Sequence, residues 1–188
     1  MRWLLSIVFC SAVLISNLHA AGPGRSRDGG PRIRPQDPRS IQLLKNGIER
    51  SETFRALVDR IESSNVFVYV TVTPFIKSSL AGQLTWMTQA GPYRYLRATL
   101  SADQTANQQI ASLAHELQHA VEVLEDIKVE DEKTLVALYK RIGQPSRAAA
   151  VSGWETIAAQ ETGYRVRREL GDSTGAAMAD RMFESGQL

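Results

Sequence analysis

One short segment of the chain has residue types and spacing that could bind a metal and carry out acid–base chemistry: His115-Glu-Leu-Gln-His119. Its two histidines are four residues apart, and the acidic Glu116 lies between them. In an α-helix, residues i and i+4 share a face, so both imidazoles can bind the same ion. Neutral imidazole is a good ligand for Zn²⁺, at about 2.0–2.1 Å. Glu116 points about 100° away, where it can act on a water molecule without binding the metal.

The residues around this segment predict a helix that is largely buried. Apolar side chains recur at helical spacing on both sides of the histidines, at Ile110, Leu113, Ala114, Leu117, Ala120, Val121 and Leu124. A buried imidazole needs a polar partner, because an unpaired polar group in the interior costs free energy. The burial therefore favours a metal site over the alternative, in which both histidines lie on a solvated helix surface.

A catalytic zinc site usually has three protein ligands and one open position, so His115 and His119 need a third partner. The remaining histidine, His19, falls in a predicted leader, which leaves a carboxylate for this role. Glu122 is nearest in sequence, but it lies about 7.5 Å along the helix axis from a metal midway between the histidines. We therefore expect Glu122 to contact one of the metal ligands without binding the metal itself, or to be exposed to solvent.

A later helix, predicted at residues 153–170, offers Glu155 and Glu161 as the third ligand. The two lie about 120° apart around a helix, so only one can face the metal. Glu155 is favoured, because its helix face carries small residues such as Gly163, which predict close packing against another helix. Glu161 is the alternative. A different hypothesis also stays open: Ser152 and Glu155 match a capping box, in which Glu155 only stabilises the start of the helix.

Length and composition are those of one globular domain. The chain has 188 residues, of which 43% are hydrophobic and 22% are charged. The net charge of +2 gives no reason to expect nucleic acid or acidic lipid as a partner. The only cysteine, Cys10, lies in the predicted leader. An exported form would therefore have no disulfide, and its stability would come from its core and any bound metal.

The sequence divides into four predicted segments. Residues 1–20 are typical of a signal peptide, because Arg2 precedes an apolar stretch of about a dozen residues, too short to span a bilayer. Residues 21–39 are rich in Pro, Gly and Arg and predict a flexible linker. Residues 40–170 form the domain, and 171–188 a C-terminal tail.

The expected location is secreted or periplasmic, without stable membrane insertion. The alternative is that an uncleaved N-terminal segment anchors the protein.

Residues 40–170 show the patterns of an α+β fold. Runs of β-branched and aromatic residues predict strands at 66–72, 80–87 and 93–100. Apolar periodicity predicts two helices between residues 40 and 61, one from about 102, one at 130–142 and one at 153–170. Ser51 is a possible cap of the second helix, and Gly143 closes the fourth. Ser101 and Gln104 match a capping box that would start the histidine-bearing helix.

The segment Ala114-His-Glu-Leu-Gln-His-Ala-Val-Glu122, preceded by strands and followed by a helix with a glutamate, resembles the active-site helix of zincin metallopeptidases of the gluzincin branch. More loosely, residues 40–170 resemble small secreted bacterial proteins with a His-Glu-Leu-x-His-Ala segment and a later Glu-Thr-x-x-Ala helix. The resemblance implies a small zincin-like domain, in which a short, mostly antiparallel sheet packs on the active-site helix and further helices.

The same resemblance implies a zinc site and a reaction. Zn²⁺ would be bound by His115, His119 and Glu155, with Glu116 as the catalytic base. The protein would be an exported zinc metallopeptidase that hydrolyses peptide bonds of a peptide or protein substrate. Residues 93–100 would form the sheet edge along which an extended peptide pairs. The alternative function is that of a non-catalytic binding or envelope-associated protein on the same scaffold.

Overall fold

Five helices and six strands form an α+β fold in the residues that the computed structural model describes, which are 30–74, 80–145 and 153–171. The fold class predicted from the sequence is confirmed. The predicted signal peptide and residues 172–188 of the predicted tail lie outside the described residues. Within the described ranges, no helix has the length and apolar character needed to span a membrane.

The elements are, in order, β1 (Ile33–Pro35), α1 (Pro38–Arg50), α2 (Glu52–Glu62), β2 (Val66–Thr73), β3 (Gly82–Ala90), β4 (Tyr93–Ser101), α3 (Ala106–Glu125), α4 (Glu132–Ile142), β5 (Gln144–Pro145), β6 (Trp154–Glu155) and α5 (Ile157–Glu169).

The main sheet has four strands in the order β1-β2-β4-β3. Two of its three pairings are parallel, β1 with β2 and β2 with β4, and only β3 and β4 are antiparallel. The prediction of a mostly antiparallel sheet is therefore wrong, because alternation within a strand does not specify its partner. The strand predicted at the edge, 93–100, lies instead between two neighbours as β4. The free edge next to it belongs to β3.

The start of the domain lies earlier in the chain than the predicted boundary at residue 40. Ile33 is 1% exposed and lies beside Val68 of β2. The backbone N–H groups of Arg32 and Ile33 donate hydrogen bonds to the Glu62 carboxylate at 2.9 and 3.0 Å. Residues 30–39 are thus part of the fold and not of a linker. A three-residue strand is too short to produce a periodic signal among the surrounding Pro, Gly and Arg.

The main core lies between the sheet and helices α1–α3, and α3 runs through it. The apolar residues of α3 are almost fully buried, among them Ile110, Leu113, Leu117 and Val121. Arg94 of β4 fixes the C-terminal end of this helix, because its guanidinium donates to the backbone oxygens of Val123 and Asp126 at 2.6 and 2.9 Å. The helix that carries the two histidines therefore has a fixed position relative to the sheet.

Two predicted helix boundaries are confirmed and two are wrong. The Ser51 side chain caps α2, and Gly143 follows the last residue of α4. Helix α3 begins at Ala106 and is capped by Thr105, not near residue 102, because residues 102–104 form the turn between β4 and α3. Helix α5 begins at Ile157 and is capped by Thr156, not near residue 153.

Candidate metal centre

Helix α3 presents both histidines to the segment that precedes α5. Ligand atoms of His115, His119 and Glu155 all lie within 4.8 Å of one another. The two imidazole rings have centroids 4.8 Å apart and an interplanar angle of 82°. The predicted i, i+4 arrangement therefore brings the rings together on one face of the helix. Of the two predicted carboxylates, Glu155 joins them, and Glu161 does not belong to this group.

The contact between His115 and Glu155 has the length of a hydrogen bond and is close to the separation of two ligands of one metal ion. His115 Nε2 and Glu155 Oε2 are 3.0 Å apart. Glu155 Oε2 is a buried oxygen, and His115 is its close polar neighbour among the described residues. Two ligand atoms of a tetrahedral zinc ion, each about 2.0–2.1 Å from the metal, are about 3.3 Å apart. Two imidazoles and one carboxylate are also a donor set that zinc prefers, so the residues present fit this ion.

Glu155 reaches the histidines from a short strand, not from a helix. Strand β6 pairs with β5, with Glu155 opposite Gln144. A Cβ atom on Gly143 would lie 2.8 Å from the Glu155 backbone oxygen, so only glycine lets β6 approach the end of α4 this closely. The predicted role of Glu155 in a capping box is wrong, because Thr156 caps α5 and Glu155 precedes it.

A second carboxylate orients His119. His119 Nδ1 and Glu122 Oε2 are 2.8 Å apart, and both side chains are 7% exposed. The other Glu122 oxygen accepts a 2.6 Å hydrogen bond from the Thr156 hydroxyl. A proton on Nδ1 directed at Glu122 leaves His119 Nε2 free to bind a metal, as is usual for metal-binding histidines. Glu122 is thus not itself a candidate ligand, but it orients His119, which is one.

Tyr139 of α4 packs against the same histidine. Its ring centroid lies 5.0 Å from that of His119, and its hydroxyl donates a 3.0 Å hydrogen bond to the His119 backbone oxygen. Burial and the nearby carboxylates raise the pKa of Tyr139 well above its ordinary value. The neutral hydroxyl therefore stays a donor and holds this turn of α3 in place.

Glu116 lies beside β3 and is 5% exposed. Its carboxylate accepts a hydrogen bond from the backbone N–H of Leu84. A Cβ atom on Gly82 would lie 2.7 Å from Glu116 Oε1, so the absence of a side chain at Gly82 makes room for this carboxylate. Burial raises the pKa of Glu116, which means that it accepts a proton more readily than an exposed glutamate would.

The electrostatic field of the site favours a cation. Burial by itself lowers the pKa of His115, but the adjacent Glu155 and the charges of Glu116 and Glu122 outweigh it and raise this pKa. Burial likewise raises the pKa of Glu155, but the neighbouring His115 outweighs this effect and lowers it. The negative potential that stabilises a proton on His115 would also stabilise a divalent ion.

Helix α5 packs closely on α3 through Gly163. A Cβ atom at Gly163 would lie 3.5 Å from the Ala111 backbone oxygen and 3.6 Å from His115 Cβ. The close packing predicted from the small residues of this helix is confirmed, and α3 is the neighbour.

Two cavities meet at the candidate site. Both are lined by Leu80, Gly82, His115, Glu116 and Glu155. The first, the α5-side cavity, has a volume of about 290 Å³ and continues along α3 and α5 past Ala111, Ser112, Gln160, Gly163, Tyr164 and Arg167. The second, the α4-side cavity, has about 280 Å³ and continues between β3 and α4, past Trp86, Leu135, Val136 and Trp154 among others. The acid–base groups therefore lie at the centre of a cleft.

Several contributors to the site were not predicted from the sequence, among them Gly82, the Leu84 N–H, Tyr139 and Thr156. A glycine at the start of a predicted strand is a signal for a close approach, which could have identified Gly82. Thr156 has the residue type of a helix cap, but Ser152 competed for that role. The Leu84 N–H is a backbone group and has no sequence signal.

Searches of protein-family models, of curated proteins and of solved structures found no match to this chain.

Proposed function

We propose that this protein is an exported zinc-dependent metallopeptidase of the zincin type. The observation that carries the proposal is the convergence of His115, His119 and Glu155, in which a buried Glu155 oxygen lies 3.0 Å from an imidazole nitrogen. The buried Glu116 carboxylate next to this group supports a catalytic role, because a structural zinc site needs no such base.

Each residue has a defined role in this proposal. His115, His119 and Glu155 hold the zinc ion, and Glu122 keeps His119 in the tautomer that leaves Nε2 available. The ion, when bound, supplies Lewis-acid activation of water and of the scissile carbonyl. Glu116 accepts the proton of the attacking water and passes it to the leaving amine.

The substrate would lie along β3. Among the described strands, β3 pairs only with β4, so its other edge can accept backbone hydrogen bonds from an extended peptide. The Leu84 hydrogen bond ties Glu116 to this strand. A peptide paired with β3 would place neighbouring side chains in the cavities on the two sides of Glu116. This assignment replaces residues 93–100 as the proposed edge.

A Glu116→Gln variant tests the proposal. It keeps the size of the side chain but removes the base, so we expect zinc to stay bound while hydrolysis of casein or of a peptide library falls at least about a hundredfold. Glu161→Gln is the matched control, since it removes a carboxylate outside the site. If Glu116→Gln were as active as the unaltered protein, the catalytic role would be refuted. A zinc-binding protein without hydrolytic activity in either form would instead favour a binding function on this scaffold.

Export is a separate part of the proposal. Cleavage near residue 20 would leave a chain that starts in front of β1 with no cysteine. Mass spectrometry of the protein recovered from outside the cytoplasm should therefore show a chain that lacks the signal peptide. Recovery of the full-length chain in the membrane fraction would favour the anchored alternative.

A further inference from the structure

The α5-side cavity contains a cation for which the described residues offer no partner. Gln160, Gly163, Tyr164 and Arg167 follow one another at helical spacing along α5 and line this cavity. Arg167 is partly buried there. No ion pair or hydrogen bond joins its side chain to another residue in ranges 30–74, 80–145 and 153–171. A guanidinium that has lost part of its hydration is stabilised when it pairs with an anion.

The charges around the cavity leave Arg167 available to a substrate. Glu116 and Glu155 also line it and carry one negative charge each, which a bound Zn²⁺ ion would balance. Among the residues that line this cavity, Arg167 then carries the one charge that is not balanced. The α4-side cavity has a different charge, because its described lining contains Glu132 and no Lys or Arg. The two sides of the cleft therefore suit different substrate groups.

We propose that the α5-side cavity binds a carboxylate of the peptide substrate through Arg167, an inference that rests on the proposed peptidase function. A planar guanidinium pairs with a carboxylate through two parallel hydrogen bonds, so Arg167 would select an acidic group by charge and by geometry. The cavity volume of about 290 Å³ fits one side chain or a chain end and not a large ligand. The carboxylate comes from an Asp or Glu side chain next to the scissile bond, or from the free C-terminus of a short peptide. Arg167 is thus a specificity-determining residue.

Cleavage of a synthetic peptide library tests the inference. The library contains every side chain at each position, in one set with free and one with amidated C-termini, and products are identified by mass spectrometry. We expect cleavage sites to be enriched about tenfold or more in Asp and Glu at one fixed position, which corresponds to one charge-assisted hydrogen-bonded pair. If the C-terminus is the group recognised, cleavage is instead confined to the free set, close to the chain end.

Variants of Arg167 locate the source of this preference. Arg167→Ala should remove the enrichment, Arg167→Lys should keep part of it, and Arg167→Glu should shift the preference to Lys and Arg. Arg168→Ala is the matched control, because it removes an exposed charge from the next position of α5. Bound zinc, measured in each variant, verifies that the metal site is intact. Cleavage without acidic enrichment, or enrichment unchanged in Arg167→Ala, would overturn the inference and leave the peptidase proposal standing.

A binding measurement separates the two proposals if no peptide is cleaved. Zinc-loaded Glu116→Gln protein is titrated calorimetrically with a Glu-containing peptide and with the same peptide carrying Gln. We expect the Glu peptide to bind about tenfold more tightly, and the difference to vanish when Arg167→Ala is added. Binding with this difference would support the carboxylate site although the peptidase proposal had failed. Equal affinities would overturn the site.

Discussion

The Thr156 hydroxyl donates a 2.6 Å hydrogen bond to Glu122 Oε1, and the other oxygen of this carboxylate lies 2.8 Å from His119 Nδ1. Thr156 follows Glu155 directly in sequence. This contact therefore joins the histidine-bearing helix to the segment that carries the candidate carboxylate ligand. It couples the position of Glu155 to the orientation of His119.

Loss of this contact should weaken metal binding. We expect Glu122→Ala to lower zinc affinity about 10- to 100-fold, because the partner of a metal-binding histidine fixes its tautomer and ring orientation. Thr156→Val should act in the same direction but less strongly, and it should also cost about 1 kcal/mol of stability as a lost helix cap. Thr156→Ser is the control that keeps both hydrogen bonds. Competition with a chromogenic chelator measures the affinity, and equal affinity in all four proteins would contradict the coupling.

Gly82 should be needed for catalysis but not for metal binding. A Gly82→Ala methyl group would lie 2.7 Å from Glu116 Oε1 and 3.2 Å from its Cγ, so the carboxylate must move. We expect kcat to fall about a hundredfold, as for a misplacement of about 1 Å in other enzymes, with zinc content unchanged. Gln89→Ala, at an exposed position near the other end of β3 and outside both cavities, is the control. Full activity in Gly82→Ala would show that Glu116 does not need its position beside β3.

The helices near the site could be predicted from local patterns, but the origin of the third carboxylate could not. Apolar periodicity and the i, i+4 spacing of His115 and His119 are properties of one continuous segment. Glu155 was favoured on the premise that it lay on a helix face, whereas it lies on β6 in front of α5. Ser152 and Thr156 are both acceptable caps by residue type, and the contact of Thr156 with Glu122 distinguishes them only in the folded chain.

Sheet pairing was beyond prediction for a similar reason. Val66 to Val72 have the composition of a strand, but nothing in them specifies β4 as a parallel neighbour. The position of β4 between β2 and β3 depends on contacts between distant segments. Arg94 illustrates the consequence: on an edge strand it would face solvent, whereas in β4 it is 4% exposed and holds the end of α3.

Asp37 should make stability depend on pH. Its Oδ1 accepts from the Ser40 N–H at 2.8 Å and caps α1, and its Oδ2 accepts from the Val72 N–H of β2 at 3.0 Å. Burial raises the pKa of Asp37, but these hydrogen bonds outweigh it and lower the pKa. Its contribution to stability is therefore full above the unfolded pKa of about 3.9 and is lost as the pH falls through the lower folded pKa.

Urea unfolding of Asp37→Asn measures this contribution. At pH 7 we expect a loss of about 1 kcal/mol, because Asn can cap the helix but has one acceptor oxygen instead of two. The difference from the unaltered protein should shrink as the pH falls below about 4. Asp59→Asn, at an exposed position of α2, should show neither effect. A difference that stayed constant between pH 7 and pH 2.5 would exclude the charge of Asp37 as its cause.

The zinc content of the purified protein tests the central claim most directly. After zinc loading and removal of free metal, we expect one equivalent of zinc per chain in the unaltered protein and in Glu161→Gln. His119→Ala and Glu155→Gln should each retain well under one equivalent under the same conditions. Zinc loss in Glu161→Gln but not in Glu155→Gln, or no bound zinc in any of the four proteins, would contradict the account.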